Sequence, residues 1–224
     1  MLNSSRWLRR SWAQIRVRGL RTLWEVPAEL IVLRLARRTR DGEVPVVYWQ
    51  APPESCDRVW EALDAIKAVS PLSYDELARH ARRILVTPAP GASFWWLTST
   101  VVVPVDMALG GNAVRVALAL IHEGCHALIA ATGELYTPES ASDIERRCIM
   151  AQIAFLDRLE EAGFANTRAW RQHYEKQIAS YQYSETALYS AKTAFLAKEG
   201  VPRWVRALHR VMFAPARKEN GPEA

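Results

Sequence analysis

AVRVALALIHEGCHALIAA, residues 113–131, is apolar on almost every side yet carries two histidines and a glutamate. At about 100° per helical residue, His122 and His126 stand about 40° apart, one turn from each other on one face. Glu123 lies about 100° round from His122. Two imidazoles placed this way can hold one Zn²⁺, and the glutamate between them can reach a water at the ion without being a ligand. A helix that is apolar all round is a buried helix. Imidazoles and a carboxylate inside it are costly unless they bind something. A metal ion supplies that partner; a metal-free His–Glu hydrogen-bonded network is the plainer alternative.

A catalytic zinc wants a third protein ligand and one open position. Downstream, Glu145 follows His126 with eighteen residues between them. It heads a stripe of Cys148, Ile149, Gln152, Phe155, Leu156 and Leu159, while Arg146, Arg147, Asp157 and Arg158 fall mostly on the polar side. A carboxylate heading an apolar stripe points at the core, where an unpaired charge is strongly unfavourable. Glu145 is therefore the expected third ligand. Glu139 is the rival, but a glutamate just after Pro138 already has a reason to be there in the helix dipole. Asp143 is expected to be solvated or to orient a ligating histidine, rather than to bind the ion.

Half of the 224 residues are hydrophobic and 24% are charged, which excludes intrinsic disorder. Three cysteines (Cys56, Cys125 and Cys148) without a CxxC pair exclude a disulfide-stapled scaffold and point to a reducing compartment. The N-terminus carries arginine every few residues and lacks the apolar core of a secretory signal, and no convincing membrane-spanning run is seen. The expected location is cytoplasmic, with a peripheral position on the inner membrane surface as a variant. The net charge of +5 is unevenly spread: +8 over residues 1–40, −6 over 41–200 and +3 over 201–224. The catalytic motif thus lies in the acidic part.

Residues 6–24 suit an amphipathic helix with Leu8, Trp12, Ile15, Gly19 and Leu23 on one face, and a second helix is expected from Pro27 through about Arg38. Three readings of this basic segment are open. Residues 6–38 could lie on an anionic membrane surface, contact nucleic acid, or pack on the acidic body; nucleic acid is the least expected, since no recognition module is present. Strands are expected over 44–49 and 84–87, and one long strand or a hairpin around Thr98-Ser99-Thr100 over 94–105. Helices are expected over 56–69 and 74–83, capped by Ser55 and Ser73, and then over 113–131, 139–162, 167–181, 184–198 and 202–213. The expected fold is α+β and predominantly helical. A small mixed or antiparallel sheet packs on the active-site helix over 44–131, and a helical part follows over 139–213. Residues 1–40 form a separate lead-in, and 41–224 the domain.

In His122, Glu123, His126 and Glu145 the chain resembles the gluzincin metallopeptidases, the thermolysin-like clan, in a minimal form. The resemblance covers about 30 residues, with a looser likeness in the preceding β segment. It implies a zincin-like fold, one zinc ion, Glu123 as the general base of peptide hydrolysis, and a peptide or protein substrate held by strand addition to an edge strand, here Phe94, Trp95 and Trp96. The Asn-Glu-x-x-Ser-Asp form of the downstream motif is absent. No transition-state stabiliser is assigned; His173, Tyr174, Tyr181 and Tyr183 are the candidates. Cys125 and Cys148 could approach the metal, but small buried hydrophobes are the expected reading of both. The expected function is that of a zinc metallopeptidase, a hydrolase. The alternatives are a non-catalytic zinc-binding regulatory protein on the same scaffold and a membrane- or nucleic-acid-associated binding protein.

Overall fold

Three short runs of β-branched residues build the centre of the sheet. The computed structural model describes residues 29–38, 42–165 and 167–180, with the single positions 190, 193, 194 and 197. The chain divides into two compact units, Met1–Gln182 and Tyr183–Ala224, and the sheet and its helices belong to the first. Strands β1 (Arg37–Arg38), β2 (Val46–Tyr48), β3 (Arg83–Thr87), β4 (Ser93–Trp95) and β5 (Thr100–Pro104) form one mixed sheet in the order β1-β2-β3-β5-β4. β2, β3 and β5 run parallel, and the edge strands β1 and β4 are antiparallel to their neighbours. Parallel neighbours need a crossover. For β2 and β3 it is supplied by α1 (Ser55–Val69) and α2 (Pro71–His80). β4 and β5 form a hairpin, the second of the two expectations for that stretch, around the turn at 96–99.

Alternation along the strands makes two cores. Val46, Ile84, Val86, Val101 and Val103 face the main core with Leu63, Ile66, Leu77, Leu118, Leu120 and Phe155. Val47, Leu85 and Val102 face the other side, where Val32, Leu33 and Ala36 cover them. The helical run at 29–35 therefore closes the back of the sheet. It ends three residues earlier than expected, because Arg37–Arg38 pairs with β2 instead. The expected helices over 6–24 and 202–213, and all but isolated positions of 184–198, lie outside the described residues.

α3 (Val105–Gly110), a short helix with no counterpart in the sequence reading, turns the chain from β5 into α4 (Ala113–Thr132). Asn112 caps α4, its Oδ1 accepting from the Arg115 backbone N–H at 2.8 Å, and Gly133 ends it in the left-handed region at φ 91°. α4 is long and apolar enough to cross a bilayer by those criteria alone, but over half of that window is buried in the protein, so it reads as a core helix. It packs against α1, α2 and β4. Gly124 is explained by this packing: a Cβ there would sit 3.1 Å from Leu77 Cδ1 of α2. α5 (Pro138–Glu161) opens on a capping box between Thr137 and Ser140 and packs along α4. α6 (Thr167–Ser180) packs on α5.

Two expected caps are corrected. Ser55 is already the first helical residue of α1, with its Oγ donating to the Pro52 carbonyl at 2.5 Å. Ser73 lies inside α2, which starts at Pro71, a residue suited to a first helical turn.

Candidate metal centre

Two adjacent helices bring the site together. α4 presents His122 and His126 one turn apart, their ring centroids 5.0 Å from each other. α5 presents Glu145 opposite them. Its Oε2 lies 3.1 Å from His122 Nε2 and its Oε1 3.4 Å from His126 Nε2, so one carboxylate spans both imidazoles. All three side chains are largely shielded, at 14–17% exposure. Glu139, the rival, is exposed in the first turn of α5.

Burial pulls the His122 pKa down, but the Glu145 bond, together with the Glu123 and Glu145 charges and Gln152, outweighs it and pushes it up to about 9. Burial raises the Glu145 carboxyl, but the bonds and charges of the two histidines win and hold it well below the usual carboxylate range. The shifts favour a charged His122–Glu145 pair. Glu123 is 6% exposed, on α4 between the two histidines. Burial raises its pKa, and the nearby histidines only partly oppose this.

Two residues that the sequence reading did not assign complete the surroundings. Gln152 Oε1 accepts from His122 Nδ1–H at 3.3 Å. Its amide nitrogen donates to the Leu118 carbonyl at 3.0 Å and to the Tyr174 hydroxyl at 3.2 Å. A carbonyl can only accept, so the Leu118 contact fixes which end of the amide faces His122. That bond puts a proton on Nδ1 and leaves Nε2 as the atom that can bind a metal. Tyr136, on the loop between α4 and α5, donates its hydroxyl to Glu145 Oε1 at 2.8 Å, and its ring sits 5.8 Å from that of His126.

Asp143, expected to be solvated or to orient a histidine, is 76% exposed and lies 3.9 Å from Arg147 Nε, on the outside of α5. The side chain that meets the His122 ring from α5 on its Nδ1 side is Gln152. Tyr174 reaches the centre only through Gln152. His173 is exposed beside it, and Tyr181 and Tyr183 lie outside the described residues. Phe94 and Trp95 are on edge strand β4, which lies against α4, and Trp96 is in the following turn. Phe94 packs toward the main core and Trp95 toward the back of the sheet.

Cys148 is fully buried one turn after Glu145. Its sulfur and the donor nitrogens of His122 and His126 all lie within 4.8 Å of one another. Cys125, partly buried on α4, packs against the small cluster of Ile129, Ile144 and Cys148.

The donors fit a zinc ion. Two imidazole nitrogens and a carboxylate converge, one imidazole is oriented through its other nitrogen, and the buried Glu123 carboxylate lies near both histidines. No family model, curated protein or solved structure matches the chain.

Proposed function

We propose that this chain is a zinc metallopeptidase of minimal gluzincin-like form. His122, His126 and Glu145 would hold one zinc ion, and Glu123 would be the general base. The observation that carries the proposal is the single carboxylate of Glu145 spanning both histidine Nε2 atoms. Three donors already facing one point need little reorganisation to take a metal. The element order supports a zincin-like reading: an antiparallel edge strand, a helix bearing HExxH that packs against it, and a following helix bearing the third donor.

When bound, zinc supplies Lewis-acid polarisation of a carbonyl and makes water a better proton donor at neutral pH. The remaining work belongs to the chain. Glu123 takes the proton from the attacking water and passes it to the leaving amine. Its buried position, which raises its pKa, suits a group that must both accept and return a proton. Gln152 keeps His122 in the tautomer that frees Nε2, and Tyr136 steadies the Glu145 carboxylate. β4 has one side unpaired within the described sheet, which suits a substrate peptide added as a further strand beside α4.

Metal analysis tests the ligand set. Wild-type protein should bind zinc at one ion per chain, and His126→Ala and Glu145→Ala should lose it. Full zinc retention in Glu145→Ala would remove Glu145 from the ligands.

A further inference from the structure

The helical run at 29–35 is apolar on both of its faces. Val32, Leu33 and Ala36 turn inward onto Val47, Leu85 and Val102 at the back of the sheet. The buried Glu29 accepts from the Thr98 hydroxyl at 3.2 Å, which ties the start of the run to the turn after β4. Packing thus fixes which face looks out. That face carries Leu30, Ile31 and Leu35, at 54%, 59% and 59% exposure. At about 100° per residue they span about 140° of the helix, with Arg34 among them. A helix that covers a domain ordinarily turns polar side chains outward, so three large aliphatic ones mark a contact surface. Arg34, Arg37 and Arg38 are exposed beside them, and Trp49 and Trp95 are partly exposed on the same side of the sheet. We propose that this face, Leu30, Ile31 and Leu35 with Arg34, Arg37 and Arg38, docks on an anionic phospholipid bilayer.

Charge selects the occupant. The face is basic, and residues 1–28 hold six arginines against one glutamate. A second copy of the face, or the chain's own N-terminal segment, would bring charge of the same sign to it. A layer of anionic headgroups complements both properties at once. The aliphatic side chains enter the acyl boundary while the guanidinium groups stay at the phosphates. Tryptophan indoles favour the same interfacial level. A nucleic acid also offers phosphates, but proteins grip its bases by aromatic stacking and polar contacts, and Leu30, Ile31 and Leu35 offer neither. The proposal is independent of the zinc reading, since its test needs neither metal nor turnover.

The test is cosedimentation of the full chain with vesicles of phosphatidylcholine alone and of equimolar phosphatidylcholine and phosphatidylglycerol. Wild type should bind the anionic vesicles well above the neutral ones. Binding should weaken between about 0.1 M and about 1 M salt, as screening shortens the reach of the charges. The combined variant Leu30→Gln, Ile31→Gln and Leu35→Gln keeps every arginine, so it separates this face from the basic N-terminal segment. Its affinity for the anionic vesicles should fall about tenfold or more with the fold kept by circular dichroism. Ile31→Asp alone, a single exposed change, should lower the affinity in the same direction. Leu72→Gln, at an exposed leucine of α2, should bind as wild type does. Wild-type affinity in both the triple variant and Ile31→Asp overturns the proposal, as does equal binding of wild type to neutral and anionic vesicles. A lipid-free wild type that is dimeric while the triple variant is monomeric would assign the face to self-association, and overturns it too.

Discussion

Zinc binding should be steeply pH-dependent near neutrality, and the reason lies in His122. In the metal-free protein His122 Nε2 lies 3.1 Å from Glu145 Oε2; burial disfavours the charged imidazole, but that contact, the Glu123 and Glu145 charges and Gln152 together push its pKa up to about 9. A metal binds the neutral imidazole, so zinc must displace this proton. At pH 7, two units below about 9, the competition lowers the apparent affinity about a hundredfold, or about 3 kcal/mol, from its alkaline limit. The sign is fixed by the raised pKa: affinity rises as pH climbs and levels off above about 9. Chelator competition at constant ionic strength should show about a tenfold gain per pH unit between about pH 7 and 8.5. Calorimetry in buffers of different ionisation enthalpy should show about one proton released per zinc from His122 at about pH 7. Glu145→Gln removes the carboxylate that holds the proton, so the weaker residual binding should level off at a lower pH. Affinity independent of pH over that range in the wild type would refute the reasoning.

Gln152→Leu removes the acceptor that orients His122 and should weaken zinc binding about 10- to 100-fold with the fold kept, as circular dichroism beside chelator competition can read. Unchanged affinity would mean that Gln152 does not set the tautomer. Gly124→Val pushes bulk into Leu77 across the α4–α2 contact and should cost about 1–3 kcal/mol in urea unfolding. The same substitution should be better tolerated beside Leu77→Ala, and an unaffected single variant would contradict the packing account.

Much of the centre could be read from spacing alone. The histidines share a face because four residues are about one turn, and Glu145 heads a stripe whose members recur at helical spacing. α4, α5 and α6 fall within about two residues of their expected ends because Asn112, Gly133 and the Thr137–Ser140 box punctuate them. Signals for two further residues were present in the sequence. Asp143 is two residues from Glu145, about 200° round the helix, so the two cannot face the same partner. Gln152 is seven residues from Glu145 and returns to its face, and an amide inside a buried stripe is itself a signal that something polar must meet it. Tyr136 carried no such signal. It lies in a non-periodic loop, and only the way α4 and α5 pack brings its hydroxyl to Glu145. α3 was hidden because Val105 continues the apolar run of β5, and only the backbone turn after Pro104 separates them.

The central claim is peptide hydrolysis by a zinc-loaded centre with Glu123 as base. The most direct measurement is the rate at which zinc-loaded wild type and zinc-loaded Glu123→Gln, at equal metal content, cleave casein and a mixed fluorogenic peptide set. Wild type should turn these substrates over, and the rate should fall by about 10²- to 10⁴-fold in the variant while its zinc is retained. Equal rates in the two proteins, or no cleavage by wild type carrying a full complement of zinc, would contradict the claim.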